Sequence, residues 1–229
     1  MTTFRHEKEY VQLKGMLAEM ATLASSMTSD SIKALVERDT ELAESVIGKD
    51  EVLDQLDVDI DEHCIRMLAL FEPKAVDLRY IVTASRIIID LERVGDHCVS
   101  ICRDVIKLND IPQLKPYIDL PKMANDAIQM INDSLQAFFD GDTKLAFDVI
   151  KRDEDVDKLH DQVIRELLTY SMENIKTLQP VLALMNVSRR LERIADHATN
   201  VAEMVYYMVE GKIIRHTFID DEFDMEEED

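Results

Sequence analysis

The amino-acid sequence predicts an all-α protein made of two tandem, duplicated three-helix bundles. The first observation behind this prediction is an internal repeat, because LERVGDH at residues 91–97 returns as LERIADH at residues 191–197. The second is the composition: glycine and proline each occur only five times and tryptophan is absent, whereas helix-forming residues dominate. The third is an apolar pattern with the 3.6-residue period of a helix along almost the whole chain.

The repeat extends beyond this motif. DTELA at residues 39–43 returns as DTKLA at 142–146, and DEVLDQL at 50–56 returns as DEDVDKL at 153–159. The blocks keep their order, which indicates duplication of a unit of about a hundred residues, too long for a solenoid repeat and long enough for a core of its own. We therefore expect a first bundle over residues 1–112, a second over 113–214, and a disordered acidic tail over 215–229.

The helices of the first copy follow from apolar periodicity and from the residues that interrupt it. Asp39 is expected to form a turn and to cap the second helix. Glu72-Pro73 is expected to separate the next two helices, because proline is tolerated at a helix start but not inside a helix. The predicted helices are residues 4–38, a short segment ending near Gly48, residues 50–71 and residues 74–108.

The second copy repeats this plan after a linker, which three prolines between residues 112 and 121 predict. Gly141-Asp142 is the turn that matches Arg38-Asp39, and Gly211 is a C-cap glycine. Three long antiparallel helices with short connections form a three-helix bundle in each copy. The predicted helices of the second copy are residues 121–139, a segment from the turn to about residue 170, and residues 178–210.

The formal net charge of −21 limits the classes of partner. It argues against nucleic acid, since phosphate binding depends on Lys and Arg, and against electrostatic adhesion to anionic lipid. The N-terminus lacks the apolar core of a signal peptide, and no apolar run reaches membrane-spanning length. Cys64, Cys98 and Cys102 fit neither a zinc nor a redox spacing. We expect a cytoplasmic protein with reduced, buried cysteines.

The repeated motifs place carboxylates at one depth of each bundle. Glu92 and Asp96 lie one turn apart, just beyond the apolar face of their helix. The preceding helix carries Asp50 and Asp54 at the same spacing. In a hairpin about Pro73, the numbers of facing positions add up to about 146. Asp54 then faces Glu92. Asp50 faces Asp96 one turn away.

The second copy has the same geometry, with a hairpin centre near residues 174–175. Its carboxylates are Asp153, Asp157, Glu192 and Asp196. Like charges one turn apart destabilise a helix by about 0.2–0.5 kcal/mol, so a positive partner is expected nearby. Carboxylate oxygens suit a hard or borderline cation such as Fe, Zn, Mn, Mg or Ca. Glu203 and Asn200 are additional candidate ligands. Arg103 replaces Glu203 in the first copy, so the second copy is predicted to be the better cation site.

Two alternatives stay open for these residues. Asp57 points into the apolar arc of its helix and needs a partner. Its counterpart, His160, is either a ligand or a core histidine with satisfied hydrogen bonds. The competing interpretation of the whole cluster is that Arg93, Arg193 and other basic residues pair with the carboxylates, with no metal present.

Motifs that carry catalysis are not found. His97 and His197 lie on the polar side of their helices, away from the neighbouring glutamates, so the Glu-x-x-His spacing of di-iron bundles is absent. The sequence also lacks a glycine-rich phosphate loop and a GxSxG motif. We therefore expect that the protein is not an enzyme.

With these motifs the chain resembles the PhoU family, the accessory regulators of bacterial phosphate-specific transport. The resemblance covers about residues 5–215 and rests on four groups of residues. These are LERVGDH at 91–97, LERIADHATNVAE at 191–203, PKAVDLR at 73–79, and the acidic blocks with Asp50/Asp54 and Asp153/Asp157. Ala195 stands where the family's second motif usually has glycine, and the acidic tail after Arg215 is not part of the family pattern.

The resemblance implies a cytosolic, often dimeric protein of two three-helix bundles that associates with the ATPase of the phosphate ABC transporter and with its sensor histidine kinase. It would be peripheral to the membrane only through these partners. Family members damp the phosphate-starvation response, and some hold iron or zinc clusters at paired E(D)xxxD motifs. We therefore expect a non-enzymatic negative modulator of phosphate uptake and signalling. The alternatives are a metal-binding bundle with a storage or redox role and a structural helical adaptor.

Overall fold

The computed structural model describes residues 2–212, and over that range it consists of six α-helices and one short 3₁₀ turn. The predicted fold class, two tandem three-helix bundles, is confirmed. Bundle one contains α1–α3 and bundle two contains α4–α6. The helices are α1 (Thr2–Glu37), α2 (Thr40–Phe71), α3 (Val76–Asn109), α4 (Asp119–Asp140), α5 (Thr143–Glu173) and α6 (Leu178–Glu210), and the 3₁₀ turn is Ile175–Thr177.

The two equivalent turns that follow α1 and α4 have the same construction. Arg38 and Gly141 adopt left-handed backbone conformations, with φ of 58° and 65°. The next residue in each turn caps the following helix. The side chain of Asp39 accepts a hydrogen bond from the amide of Leu42 at 2.9 Å, and that of Asp142 accepts from the first turn of α5. The predicted Asp39 cap and the matching turn are therefore both present.

One predicted boundary is wrong. Gly48 does not end a helix, because α2 runs without interruption from Thr40 to Phe71. A glycine inside a helix costs only about 1 kcal/mol relative to alanine. The apolar face of α2 is buried on both sides of this position, at Val46 and Leu53, and this packing outweighs the local preference.

The other predicted breaks lie close to the observed ones. The α2–α3 connection contains Glu72-Pro73, and α3 begins at Val76, two residues later than predicted. The α5–α6 connection falls at residues 174–177, as the hairpin arithmetic requires. Gly211 is a left-handed C-cap of α6 with φ of 71°.

The two bundles pack against each other through α3 and α6, which run antiparallel, and through α1 and α4. Near the start of α3, Arg79 Nε donates a hydrogen bond to the Met208 carbonyl near the end of α6, at 2.7 Å. Their buried apolar residues form one continuous core. The division into folding units at about residue 112 therefore stays a prediction.

The three cysteines are buried and unpaired. Across the part of the chain that the structure describes, no helix is both long enough and apolar enough to cross a membrane. The predicted acidic tail lies outside the described residues.

Candidate cation site

The structure brings the four predicted carboxylates of the second copy to one level of the α5–α6 hairpin. Asp153 and Asp157 come from α5, and Glu192 and Asp196 come from α6. Burial, followed by the charge of Asp196, raises the pKa of both aspartates on α5. The side chains of Glu192 and Asp196 are 20% and 31% exposed. The cluster is thus open to solvent on one side and partly enclosed by its two helices.

The Asp153 carboxyl is strongly perturbed. Burial, followed by the charges of Asp196 and Asp157, raises the pKa of Asp153 from 3.8 to about 7. Its Oδ1 atom is buried and has no hydrogen-bond partner. The Thr199 hydroxyl donates to the Ala195 carbonyl at 3.2 Å, and its contact with the Asp153 carboxyl partly offsets the rise in the pKa of Asp153. A buried carboxylate oxygen without a donor is unfavourable unless it is protonated or paired with a cation.

The neighbouring carboxylates are shifted in the same direction. Burial, and then the charge of Asp196, raises the pKa of Asp157, while His160 partly offsets this. Burial and Asp196 likewise raise the pKa of Glu192, and Arg193 partly offsets this. Because these groups hold protons more readily than in water, a bound cation would relieve repulsion within the cluster.

The first copy has the same arrangement, but its cluster is more neutralised. Burial, followed by the charges of Asp54 and Asp96, raises the pKa of Asp50, and the guanidinium of Arg103 lowers it. Arg103 thus has the neutralising effect that the sequence predicts. The Asp96 side chain is 49% exposed, so this cluster is also more open to water than the one in the second copy.

Glu92 and Asp57 complete the first cluster. Burial, and then the charge of Asp96, raises the pKa of Glu92, with Arg93 acting in the opposite direction. Asp57 is half-buried, and burial, followed by the charge of Asp61, raises its pKa. The structure therefore places Asp57 beside the carboxylates, as its position on the apolar arc suggested.

One arginine in each copy bridges the two carboxylates of its own motif. Arg193 Nε lies 3.6 Å from Glu192 Oε2, and its Nη1 lies 2.8 Å from Asp196 Oδ2. Arg93 makes the equivalent contacts in the first copy at 3.4 and 3.0 Å. These contacts agree with the competing interpretation for the carboxylates of α3 and α6. Exposed pairs of this kind contribute about 0–1 kcal/mol, and Arg193 leaves Asp153 Oδ1 unpaired.

The structure does not bring every predicted ligand to this level. Asn200 Nδ2 donates to Asp90 Oδ1 at 3.1 Å, so its amide faces bundle one. Glu203 lies about two turns farther along α6 than the carboxylate pair. His160 Nδ1 lies 2.9 Å from the Ser188 hydroxyl, which occupies one ring nitrogen. Among residues 7–212, whose side chains the structure describes, no three His, Cys, Asp or Glu side chains are arranged to hold a metal ion. A cation would have to draw the carboxylates together.

A second polar cluster, which sequence reasoning missed, joins the two bundles. His197 Nδ1 lies 2.8 Å from Asp90 Oδ1, and Arg190 Nη1 lies 3.4 Å from His97 Nδ1. The two imidazole rings are 5.4 Å apart between centroids. The repeated histidines thus reach across the interface between bundles, away from their own carboxylates. Their position on the polar side of each helix was the available signal.

A groove of about 480 Å³ between α4 and α5 is lined in part by Lys122, Arg152 and Lys158. Arg152 lies 2.6 Å from a carboxylate oxygen of Asp133, and Lys158 lies 3.0 Å from Glu154. Because Arg152 and Lys158 already have acidic partners, the groove does not favour the binding of an anion.

Comparison with known proteins agrees with the repeat and the motifs. The model of the PhoU domain matches the chain twice, over residues 17–105 and 120–205. A protein of Aquifex aeolicus named "phosphate-specific transport system accessory protein PhoU homolog" is 42% identical over 212 residues, which cover 93% of this chain and 96% of that protein. The Escherichia coli protein named "phosphate-specific transport system accessory protein PhoU" is 33% identical over 208 residues, which cover 91% of this chain and 86% of that protein.

Solved structures agree with the fold. A crystal structure described as PhoU from Pseudomonas aeruginosa superposes with a TM-score of 0.85 and 35% identity, covering 90% of this chain and 99% of that chain. A structure described as the phosphate transport system regulatory protein PhoU from Streptococcus pneumoniae gives a TM-score of 0.83 and 26% identity, with 91% and 98% coverage.

Proposed function

The chain belongs to the PhoU family, and from this membership we propose that it is a non-enzymatic regulator that restrains phosphate uptake and phosphate-starvation signalling. One observation carries the proposal: proteins named as accessory proteins of phosphate-specific transport match more than nine-tenths of the chain. Neither the family description nor these names supports the storage or redox role that the sequence also allowed.

We propose that the regulator works in the cytoplasm through protein contacts. Its partners would be the ATPase of the phosphate ABC transporter and the sensor histidine kinase, and it would reach the membrane only through them. The charge of −21 supports basic protein surfaces over nucleic acid as partners. A homodimer is the proposed assembly, on the family resemblance alone.

A gene-deletion experiment tests the regulatory function. In phosphate-rich medium, the deletion strain should produce more alkaline phosphatase than its parent, and the wild-type gene supplied on a plasmid should restore repression. Unchanged phosphatase in the deletion strain would contradict the proposal. Co-purification of the wild-type protein with the ATPase or the kinase then identifies which partner transmits the effect.

We also propose that the second copy holds a divalent or trivalent cation, namely Fe, Zn, Mn or Mg. The ligands would be Asp153, Asp157, Glu192 and Asp196. The unpartnered Oδ1 of Asp153 supports this fit, since a buried anionic oxygen is what a cation would satisfy. The bound cation would supply charge neutralisation and would fasten α5 to α6. Glu203 is the further candidate ligand, and Asn200 is a weaker one because its amide faces Asp90.

Metal analysis tests this site. Glu192→Gln combined with Asp196→Asn removes two charges and nearly keeps the side-chain shapes, so metal content should fall while helicity persists. The matched control is Glu154→Gln with Asp155→Asn, a pair on α5 that is 76% and 75% exposed. Wild-type protein that takes up no metal after incubation with iron, manganese, zinc or magnesium would contradict the cation site.

A further inference from the structure

Large apolar side chains are exposed at the tip of the α5–α6 hairpin. Met172 is 85% exposed and Ile175 is 72% exposed. The other three members are Leu168, Leu178 and Leu182, each between 42% and 52% exposed. We refer to these five residues as the tip patch. Single exposed apolar residues are ordinary, but a contiguous group at one end of a hairpin is typical of an interaction site.

The hairpin geometry makes the tip patch contiguous. Facing positions in α5 and α6 have numbers that add up to about 349, so Leu168 stands opposite Leu182. Met172 stands opposite Leu178 one turn nearer the tip, and Ile175 covers the connection. Residues four apart on a helix share one side, so the five side chains form a ladder that ends at the tip.

Exposed apolar residues recur at equivalent positions in the first copy. Ile65 is the counterpart of Leu168, and Leu78 is the counterpart of Leu178, with exposures of 57% and 41%. The counterpart of the most exposed residue, Met172, is Ala69. The first hairpin also exposes Leu70 and Val76, at 62% and 59%, but Ala69 interrupts there the row that Leu168 and Met172 form on α5, so we place the interaction in the second copy.

The tip patch lies on the same side of the hairpin as the carboxylate cluster. On α5, Asp157, Asp161, Leu168 and Met172 follow one another at intervals of four or seven residues, and all four are exposed. On α6, Leu182, Arg189 and Asp196 follow one another at intervals of seven. The distance along α5 from Asp153 to Met172 is about 28 Å at 1.5 Å per residue. One surface of the hairpin is thus apolar at the tip, and farther from it the carboxylates outnumber the basic residues Arg189 and Arg193 that share this surface.

We propose that this surface docks a helical segment of a partner protein, about 19 residues long, apolar in one half and rich in Lys and Arg in the other. The apolar half would cover the tip patch. The basic half would lie over Glu154 and Asp161, exposed carboxylates of α5 that are not among the proposed ligands of the cation. The inference deepens the proposed function, on which it rests for its biological role, because it names the surface and the chemistry of the partner.

A second copy of this chain fits the surface less well. If two hairpins met with the same direction about a two-fold axis, each acidic cluster would face the other, and like charges would repel. If they met in opposite directions, each tip patch would cover carboxylates, which would lose water without gaining a partner. A helix with one apolar half and one basic half avoids both the repulsion between like charges and the burial of carboxylates without a partner.

The first experiment places a photo-reactive benzophenone amino acid at position 172 in the full chain in cells, with position 11 as the control, since Val11 is 72% exposed on α1. The cross-linked peptide is identified by mass spectrometry. We expect position 172, and not position 11, to join a segment with an apolar half and a basic half. A cross-link to a second copy, to an acidic segment, or to nothing would overturn the proposal.

The second experiment measures the affinity of that segment as a synthetic labelled peptide. Met172→Gln with Ile175→Gln should weaken binding by about tenfold or more, because the two most exposed apolar contacts of the tip patch are lost, whereas Val11→Gln should not change it. Raising NaCl from about 50 to about 300 mM should also weaken binding, since charge pairs contribute. Equal affinity for the double variant and wild type would reject the tip patch.

The deletion strain separates this inference from the proposed function. If wild-type protein restores repression and the double variant does not, both stand. If both proteins restore repression, the regulatory function stands and the docking surface is rejected. If wild-type protein does not restore repression, the regulatory function fails, and the cross-link and the peptide affinities still decide the docking surface.

Discussion

Asp90 Oδ1 lies 2.8 Å from Nδ1 of His197, and this contact joins α3 of bundle one to α6 of bundle two. Because a carboxylate has no proton to give, the imidazole must donate. Asn200 donates to the same oxygen at 3.1 Å. At the equivalent point of the repeat, Arg190 replaces Asp90, and His97 faces a guanidinium. The duplicated histidines thus have opposite hydrogen-bonding roles at the interface between the bundles.

Removing the Asp90 carboxylate should weaken this interface. Asp90→Ala leaves His197 and Asn200 without their acceptor, and the expected loss is about 1–3 kcal/mol in the free energy of unfolding. Urea denaturation at pH 7 measures it. Asp90→Asn keeps one acceptor and should lose less, and the exposed Glu44→Ala is the control. Equal stability of Asp90→Ala and the control would show that the contact contributes nothing.

Acid should destabilise the same interface through His97. Burial, followed by the charges of His197 and Arg190, lowers the pKa of His97 from 6.5 to about 4, against the opposite effect of Asp96. The unfolded chain therefore takes up this proton at a higher pH than the folded protein does. The stability due to a neutral His97 is complete above pH 6.5 and is lost as the pH falls towards 4.

The variant His97→Gln removes this titration and keeps a polar side chain opposite Arg190. Between pH 6.5 and 4, wild-type protein should lose about 1–2 kcal/mol more stability than the variant, after allowance for solvent screening of a half-buried group. Asp153, with its raised pKa, has the opposite sign of pH dependence in this window, but it is present in both proteins and cancels. Parallel stability curves for the two proteins would contradict the assignment.

The sequence was sufficient for the bundles, the turns and the level of the carboxylates, because each of these depends on local periodicity or on a hairpin. The Asp39 cap and the Pro73 break are local as well. The helix end predicted near Gly48 was wrong, because the unfavourable helix propensity of one glycine is small compared with the packing of a 32-residue helix. The contacts of His197 and Asn200 with Asp90 could not be predicted from periodicity. The apolar pattern within one bundle does not indicate which of its polar faces packs against the other bundle.

The repeat also contains a compensated pair of substitutions in its core. A Cβ atom on Gly95 would lie 2.3 Å from Cδ2 of Leu53 and 3.4 Å from Oδ1 of Asp50, so α3 approaches α2 closely at the carboxylate level. In the second copy, the equivalent positions hold Ala195 and Val156. The larger side chain on one helix is thus accompanied by the smaller one on the other.

We expect Gly95→Ala alone to destabilise the protein by about 1–2 kcal/mol through overpacking, partly offset by better helix propensity. Leu53→Val alone should cost about 0.5–1.5 kcal/mol through lost packing. The double variant recreates the second copy and should be more stable than the sum of the two changes predicts, by about 0.5 kcal/mol or more. A thermodynamic cycle from four urea curves measures this coupling, and strict additivity would count against compensation.

Arg193 competes with the proposed cation for the carboxylates of α6. Its guanidinium bridges Glu192 and Asp196, so a metal that binds these carboxylates must displace it. Because exposed ion pairs contribute about 0.2–1 kcal/mol each and Arg193 makes two, Arg193→Gln should increase the affinity for Mn²⁺ by about two- to thirtyfold. Isothermal titration calorimetry on metal-free protein measures the change. Arg93→Gln should have a smaller effect, since Arg103 still lowers the pKa of Asp50 in the first cluster.

Arg189→Gln is the matched control, because it removes the same charge from the same helix face one turn away. If both variants increase the affinity for Mn²⁺ equally, Arg193 acts only through its net charge and not through its direct ion pairs with Glu192 and Asp196. If Arg193→Gln lowers the affinity, the arginine holds the carboxylates in place for the cation and does not compete with it. Only a larger gain in Arg193→Gln than in Arg189→Gln agrees with displacement, because displacement requires the direct contacts that Arg193 alone makes with Glu192 and Asp196 among the described salt bridges.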